Sequence, residues 1–373
     1  MIKPIALTLL LAASLSAAPI PVYLGTQTGP KGKSEGIYTT TFDPDNGSFG
    51  PVTLAAKYSQ PGFLALHPGK PLLYCTGTPL TPFEDNTDSV AAFRIESDGK
   101  LTFLKELSTG GRGACHLALD GTARTIAVAN YGDGRISTLH LDAEGLPESI
   151  ASVITNTGTG PNKVRQDKPH AHGVYFTKAN NRLYIPDLGL DKVWNHAFDA
   201  TTSKLGEPTF TASEPGAGPR HMTFTADERH AYVINELTNT ITVCRNDAGK
   251  LEPIQQIPTL PDGWSGENTT AEIEISPDGR FIYGSNRGHD SIAVFSRDTD
   301  SGRLTLVQHA PCGGKLPRHF KIAPGGKWLL CAHQAGNTVT ALPLDPATGK
   351  LGTPGTPIAC PNPICILFAM GRK

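Results

Sequence analysis

Residues 272–298 read EIEISPDGRFIYGSNRGHDSIAVFSRD, from Glu272 through Asn286 and Ser291 to Asp298. Two short apolar runs flank a tight turn, and a third run begins at Ser291 and stops on a carboxylate. Short runs bounded by Gly, Asp and Asn turns read as antiparallel hairpins. The pattern recurs along the chain. Runs of eight residues start at Gly36, Ser89, Arg135, Lys192, Thr240, Ser291 and Thr338, and end on Asp43, Glu96, Asp142, Asp199, Asp247, Asp298 and Asp345. A polar turn and another strand-like run come after each, as in Asp98-Gly99-Lys100-Leu101. Seven copies spaced by about fifty residues predict a propeller of seven four-stranded blades.

The other half of each unit is as regular. Phe63, His116, His172, His221, Glu272 and His319 open six strand–turn–strand units. Gly77, Asn130, Asp187, Asn235, Asn286 and His333 close them fourteen or fifteen residues later. Two strands of five or six residues joined by a tight turn return the chain to the face it left. Residues just before the first strand and just after the second therefore share a face, which places His172, Arg220, Glu236 and Arg287 together. Six hairpins against seven third strands leave one half-unit, split between the termini. Tyr23-Leu24-Gly25-Thr26 supplies a second strand and residues 363–368 a first strand. Their pairing would close the ring and remove the open edges.

Residues 19–373 thus form one all-β domain. Residues 1–18 stand apart: Lys3, an apolar run from Ile5 to Ala13 and small residues up to Ala18 read as a secretory signal too short to span a bilayer. The expected product is exported, periplasmic or extracellular. Of 373 residues, 33 Lys and Arg nearly balance 34 Asp and Glu, with no basic stripe, so neither nucleic acid nor membrane is expected as a partner. The 40 Gly and 31 Pro reflect turns rather than disorder, because 38% of residues are hydrophobic. The seven cysteines show no CxxC spacing, and Cys75, Cys244 and Cys331 lie in apolar runs as small hydrophobes. No bound metal or cofactor is expected. A monomer or weak oligomer is.

Five stretches carry a family resemblance: Pro-His-Ala-His at 169–172, Gly-Pro-Arg-His at 218–221, Tyr-Val-Ile-Asn-Glu at 232–236, Gly-Glu-Asn-Thr-Thr-Ala-Glu at 266–272 and Ser-Asn-Arg-Gly-His-Asp-Ser at 285–291. From about Val22 onward the chain resembles the seven-bladed lactonases, which include propeller-type 6-phosphogluconolactonase and the fungal carboxy-muconate lactonizing enzyme. The resemblance implies a cleft lined by one His, two Arg and one Glu, here His172, Arg220, Glu236 and Arg287. It implies a small-molecule lactone or sugar acid as substrate.

Lactone hydrolysis needs an activated water and a stabiliser for the oxyanion. Two arginines can fork a carboxylate or phosphate, or meet the developing charge. A carboxylate between two guanidiniums should have a lowered pKa, so His172, titrating nearer neutrality, is assigned as the proton carrier and Glu236 as the orienting group. His170, Glu272 and His289 are secondary candidates for substrate contact. Blander roles are open to the same residues. Arg220 and Glu236 could be an inter-strand ion pair. His172 could be structural, since His116, His221 and His319 recur at its phase. The functions weighed are a lactonase, a muconate-type lactonizing cycloisomerase and a non-catalytic binding propeller. The signal segment points away from a phosphorylated substrate.

Overall fold

The computed structural model describes residues 18–29 and 33–369, so most of the expected signal segment lies outside the described residues. Among these residues every regular element is a strand, and the strands form seven four-stranded antiparallel sheets. Each sheet contacts the next in cyclic order, which makes the predicted seven-bladed ring. Blade one carries the closure: Pro363–Phe368 pairs with Ile20–Thr26, matching Val22 to Phe368 and Leu24 to Ile366. No helix among the described residues is long and apolar enough to cross a membrane.

Burial tracks position in the blade. Second strands such as Leu72–Gly77 and His230–Asn235 are buried along their whole length, because neighbouring blades cover both of their faces. Their apolar residues therefore run continuously instead of alternating. The outer strand Lys204–Ala212 is mostly exposed. One device ties blades together repeatedly. Tyr23, Tyr74, Tyr184, Tyr232 and Tyr283 are fully buried in second strands. Each hydroxyl donates to a glycine carbonyl in the next blade's outer turn: Gly99, Gly145, Gly249, Gly302 and Gly349, at 2.6–3.0 Å. A buried phenol needs such a partner, and this one lies between blades.

The inner strands depart from expectation. They are shorter in blades two and four, at Leu64–Leu66 and Tyr175–Phe176. In blade four the ladder facing residues 172–174 contains Pro186, which has no N–H to donate and so shortens the ladder; the Val174 N–H bonds His116 Nδ1. Elsewhere the inner strands begin before the predicted histidines and carry a bulge. Pro219 pairs with Asn235 and His221 with Ile234, leaving Arg220 as the extra residue. Arg318, between Pro317 and His319, and Cys115, between Ala114 and His116, occupy the same bulge in blades seven and three. A bulge redirects one side chain out of the alternation. All three point into the cleft on one face of the disc.

Candidate active site

That cleft, about 570 Å³, opens over the central channel and is lined by Cys115, Tyr131, Arg165, His172, Arg220, Glu236, Arg287 and Arg318 among others. The structure brings together all four residues that the sequence placed on one face. Glu236 comes directly after the second strand of blade five, its N–H bonded to the Gly218 carbonyl at 2.7 Å. Gly218 sits at φ +64°, with the Leu237 side chain 2.6 Å from where a Cβ would stand. A side chain there would displace Leu237 and with it the adjoining Glu236.

Three guanidiniums surround the Glu236 carboxylate. Oε2 accepts from Arg220 Nη1 at 2.6 Å and forms an ion pair with Arg287 Nη2 at 3.0 Å, and Oε1 accepts from Arg165 Nη2 at 2.5 Å. Arg220 is braced by donating Nε–H to the Ala271 carbonyl at 3.0 Å, and Arg287 by donating to the Thr270 carbonyl at 2.7 Å. The Arg287 Nε is buried with no protein partner. Arg318 makes no ion pair or hydrogen bond among the described residues. His172 hangs from the Pro186 carbonyl by its N–H at 2.9 Å. Its Nε2 meets Arg220 Nη1 and lies 3.9 Å from Glu236 Oε2. A guanidinium only donates, so Nε2 is the accepting nitrogen and Nδ1, 3.7 Å from Cys115 Sγ, carries the proton.

The electrostatics reflect this crowding. Burial opposes the Glu236 charge, but Arg220, Arg287, His172 and Arg165 outweigh it and hold the carboxyl well below its usual range. The lowered carboxylate pKa inferred from the sequence is thus present. The near-neutral titration of His172 is not: burial, then Arg220, push the imidazole well below 6.5. Four guanidiniums face one carboxylate, and the surplus of positive charge is felt by the cations themselves. Burial, then Arg220, lower Arg287 to about 9 and Arg318 to about 10. The cleft is built to receive an anion or a developing negative charge.

The three secondary candidates lie elsewhere. His170 is stacked on Tyr131, with Nδ1 donating to the Tyr131 carbonyl at 2.7 Å and Nε2 3.1 Å from Asp167, so it props the wall without lining the cleft. Glu272 faces the channel below, 3.1 Å from His221 Nδ1 and 3.5 Å from His319 Nε2. It lines a second chamber of about 530 Å³ on the far side. His289 packs on Trp264 and bonds Ser291 at 2.7 Å, outside the cleft. The recurring phase has a structural meaning too. Phe63, His116, His221 and His319 meet across the channel in tilted and edge-to-face contacts, with ring centroids 4.0–6.4 Å apart. His172 joins this belt but alone presents its Nε2 to the arginines.

Sequence reasoning missed Arg318 and Arg165. Arg318 was signalled by Pro-Arg-His recurring at 219–221 and 317–319, two repeats apart. Arg165 sits in the irregular segment before blade four, where no repeat phase marks it. It reaches the cleft on a guanidinium that also meets Tyr131 Oη at 3.3 Å.

Comparison with known proteins gives the family of the fold. Residues 21–368 match the family described as Lactonase, 7-bladed beta-propeller. A 6-phosphogluconolactonase of Bacillus subtilis is 33% identical over 350 residues, covering 93% of this chain and 97% of that one. A 6-phosphogluconolactonase of Formosa agariphila is 32% identical, covering 88% and 94%. The solved periplasmic gluconolactonase of Pseudomonas aeruginosa is 28% identical with a TM-score of 0.87, covering 95% of this chain and 99% of that chain.

Proposed function

The chain belongs to the seven-bladed β-propeller lactonases, and from that membership we propose that it hydrolyses the ester of a sugar or sugar-acid lactone in an exported setting. The observation that carries this reading is the cluster of Arg165, Arg220, Arg287 and Arg318 around one carboxylate and one neutral imidazole. Water adds to the lactone carbonyl, giving a tetrahedral oxyanion. The intermediate collapses with the ring oxygen leaving, and the products are a hydroxyl, a carboxylate and one proton.

In this reading Arg287 and Arg318 hold the oxyanion or the substrate's own anionic group, since hydrogen bonds between ions are the strong ones. His172 Nε2 takes the proton of the attacking water and returns it to the ring oxygen. Arg220 must release Nε2 for this, and the anion that develops on the lactone carbonyl oxygen does so by drawing Arg220 onto itself. The same anion brings negative charge to the cleft and raises the basicity of His172. Glu236 holds three guanidiniums in register and keeps them from scattering. Export is supported by the signal-like residues 1–18 and by the likeness to a periplasmic gluconolactonase. It favours an unphosphorylated lactone, since phosphorylated sugars belong to the cytoplasm.

The test is a panel of gluconolactone, galactonolactone and 6-phosphogluconolactone, assayed by acid release with the mature protein. Turnover above the spontaneous rate is expected on at least one, with the sugar lactones preferred. No turnover on any of them contradicts the proposal.

A further inference from the structure

At the junction of blades six and seven, three metal-ligating side chains converge in the core, outside the lining of the arginine cleft. Cys312 comes just after the outer strand Leu304–Pro311, and Cys331 and His333 lie two apart on Trp328–His333. All three are fully buried. Their ligand atoms lie within 4.8 Å of one another, and His333 Nδ1 is 3.8 Å from Cys312 Sγ and 4.0 Å from Cys331 Sγ.

The propeller supplies its own control. The N–H of Cys312 bonds the Asp290 carbonyl just as that of Thr259 bonds the Asn239 carbonyl one blade earlier. Across that earlier junction Thr259 Oγ1 donates to Asn286 Oδ1 at 2.7 Å, and the residue two before Asn286 is Gly284. At the later junction the hydroxyl, amide and glycine are replaced by thiol, imidazole and thiol. The repeat does not need these groups.

The hydrogen bonds also fix the imidazole. Thr340 Oγ1 spends its one proton on the Cys312 carbonyl at 2.8 Å, so it must accept from His333 Nε2–H at 2.9 Å. Nδ1 is then a bare lone pair aimed at two sulfurs, oriented from behind as metal-binding histidines are. Bond lengths of about 2.3 Å to sulfur and 2.0 Å to nitrogen in a trigonal ion separate S from N by about 3.7 Å. The observed 3.8 and 4.0 Å match that spacing.

We propose that Cys312, Cys331 and His333 bind a soft d10 cation, Cu(I), in three-coordinate geometry. Two sulfurs and one imidazole suit such an ion, and three ligands in a dry core suit its low coordination number better than the four of Zn(II). Each thiol that ligates gives up its proton. In the metal-free chain the Cys312 thiol donates to the Asp290 carbonyl at 2.9 Å. The absence of a CxxC spacing hid the site, because Cys312 and Cys331 come from adjacent blades.

The test titrates Cu(I) against a bicinchoninate competitor with the fully reduced, full-length protein. One equivalent should bind tightly, and Cys312→Ser and Cys331→Ser should each weaken it at least 100-fold. His333→Asn, which restores the residue of blade six, should weaken it at least tenfold. Lactone hydrolysis and melting temperature should be retained in the apo variants. X-ray absorption of the loaded wild type, which needs no variant, should report two sulfur and one nitrogen neighbours. Failure to bind, binding unchanged in the Cys312→Ser/Cys331→Ser double variant, or uptake of Zn(II) with Cu(I) excluded overturns the proposal.

Discussion

Arg220 and Arg318 occupy the same bulge two blades apart, yet only Arg220 has an anionic partner, Glu236, at 2.6 Å. Identical local structure thus delivers one structural guanidinium and one left open to the cleft. The difference lies in the residue just past the second strand: Glu236 after Asn235 in blade five, Gln334 after His333 in blade seven.

Arg318→Met should therefore raise KM for a carboxylated or phosphorylated lactone about tenfold or more, the worth of one hydrogen bond to an ion at about 1.5–3 kcal/mol. For a neutral lactone KM should change little. The melting temperature should hold or rise, because a cation repelled by Arg220 has been removed. Steady-state kinetics on both lactone types, with calorimetry, check this.

Glu236→Gln keeps the shape but leaves three guanidiniums without their counter-charge. Breaking a buried ion pair from one side costs about 3–5 kcal/mol, so the melting temperature should fall. Turnover should fall with it, while the affinity for an anionic product rises as the net positive charge grows. Calorimetry and product inhibition read the two effects separately.

The pH profile should carry the mark of burial. A base acts when deprotonated, and His172 is held well below 6.5 by burial and Arg220. In the free enzyme kcat/KM should stay level through neutrality and decline only under more acidic conditions. At the other end Arg287, lowered to about 9, loses its charge as pH rises, so affinity for an anionic product should weaken above about pH 9. An acid limb centred at 6.5 would place a different group in the role.

Ring closure makes a further demand. Cys365 and Ile366 are buried in the strand that completes blade one. Deleting residues 362–373 should uncover the edge of Ile20–Thr26 and yield aggregates by size-exclusion chromatography. A monomeric truncation that melts cooperatively near the full-length temperature contradicts closure between the termini.

The fold was legible because each repeat ends on a carboxylate and each hairpin keeps a fourteen- or fifteen-residue frame. That frame fixed the shared face of His172, Arg220, Glu236 and Arg287. The inward turn of Arg318 was legible only through the Pro-Arg-His that 317–319 shares with 219–221, because the hairpin frame does not show the bulge that redirects the arginine. Arg165 was beyond reach because a loop residue has no phase. The acidity of His172 was misjudged for a related reason. Its pKa depends first on burial and then on Arg220 standing against its Nε2, and neither that burial nor adjacency across blades four and five is written in local order. Likewise Glu272 shares its phase with the histidines but turns to the far chamber, where His221 and His319 draw it.

The most direct measurement is the turnover of wild type, His172→Ala and Glu236→Gln on one accepted lactone at pH 7, with melting temperatures alongside. With His172 as the proton carrier, His172→Ala should keep its fold and lose roughly two to four orders of magnitude in kcat, the range for a general base. If His172→Ala turns over like wild type while Glu236→Gln is inert, Glu236 is the base and the division of roles is reversed.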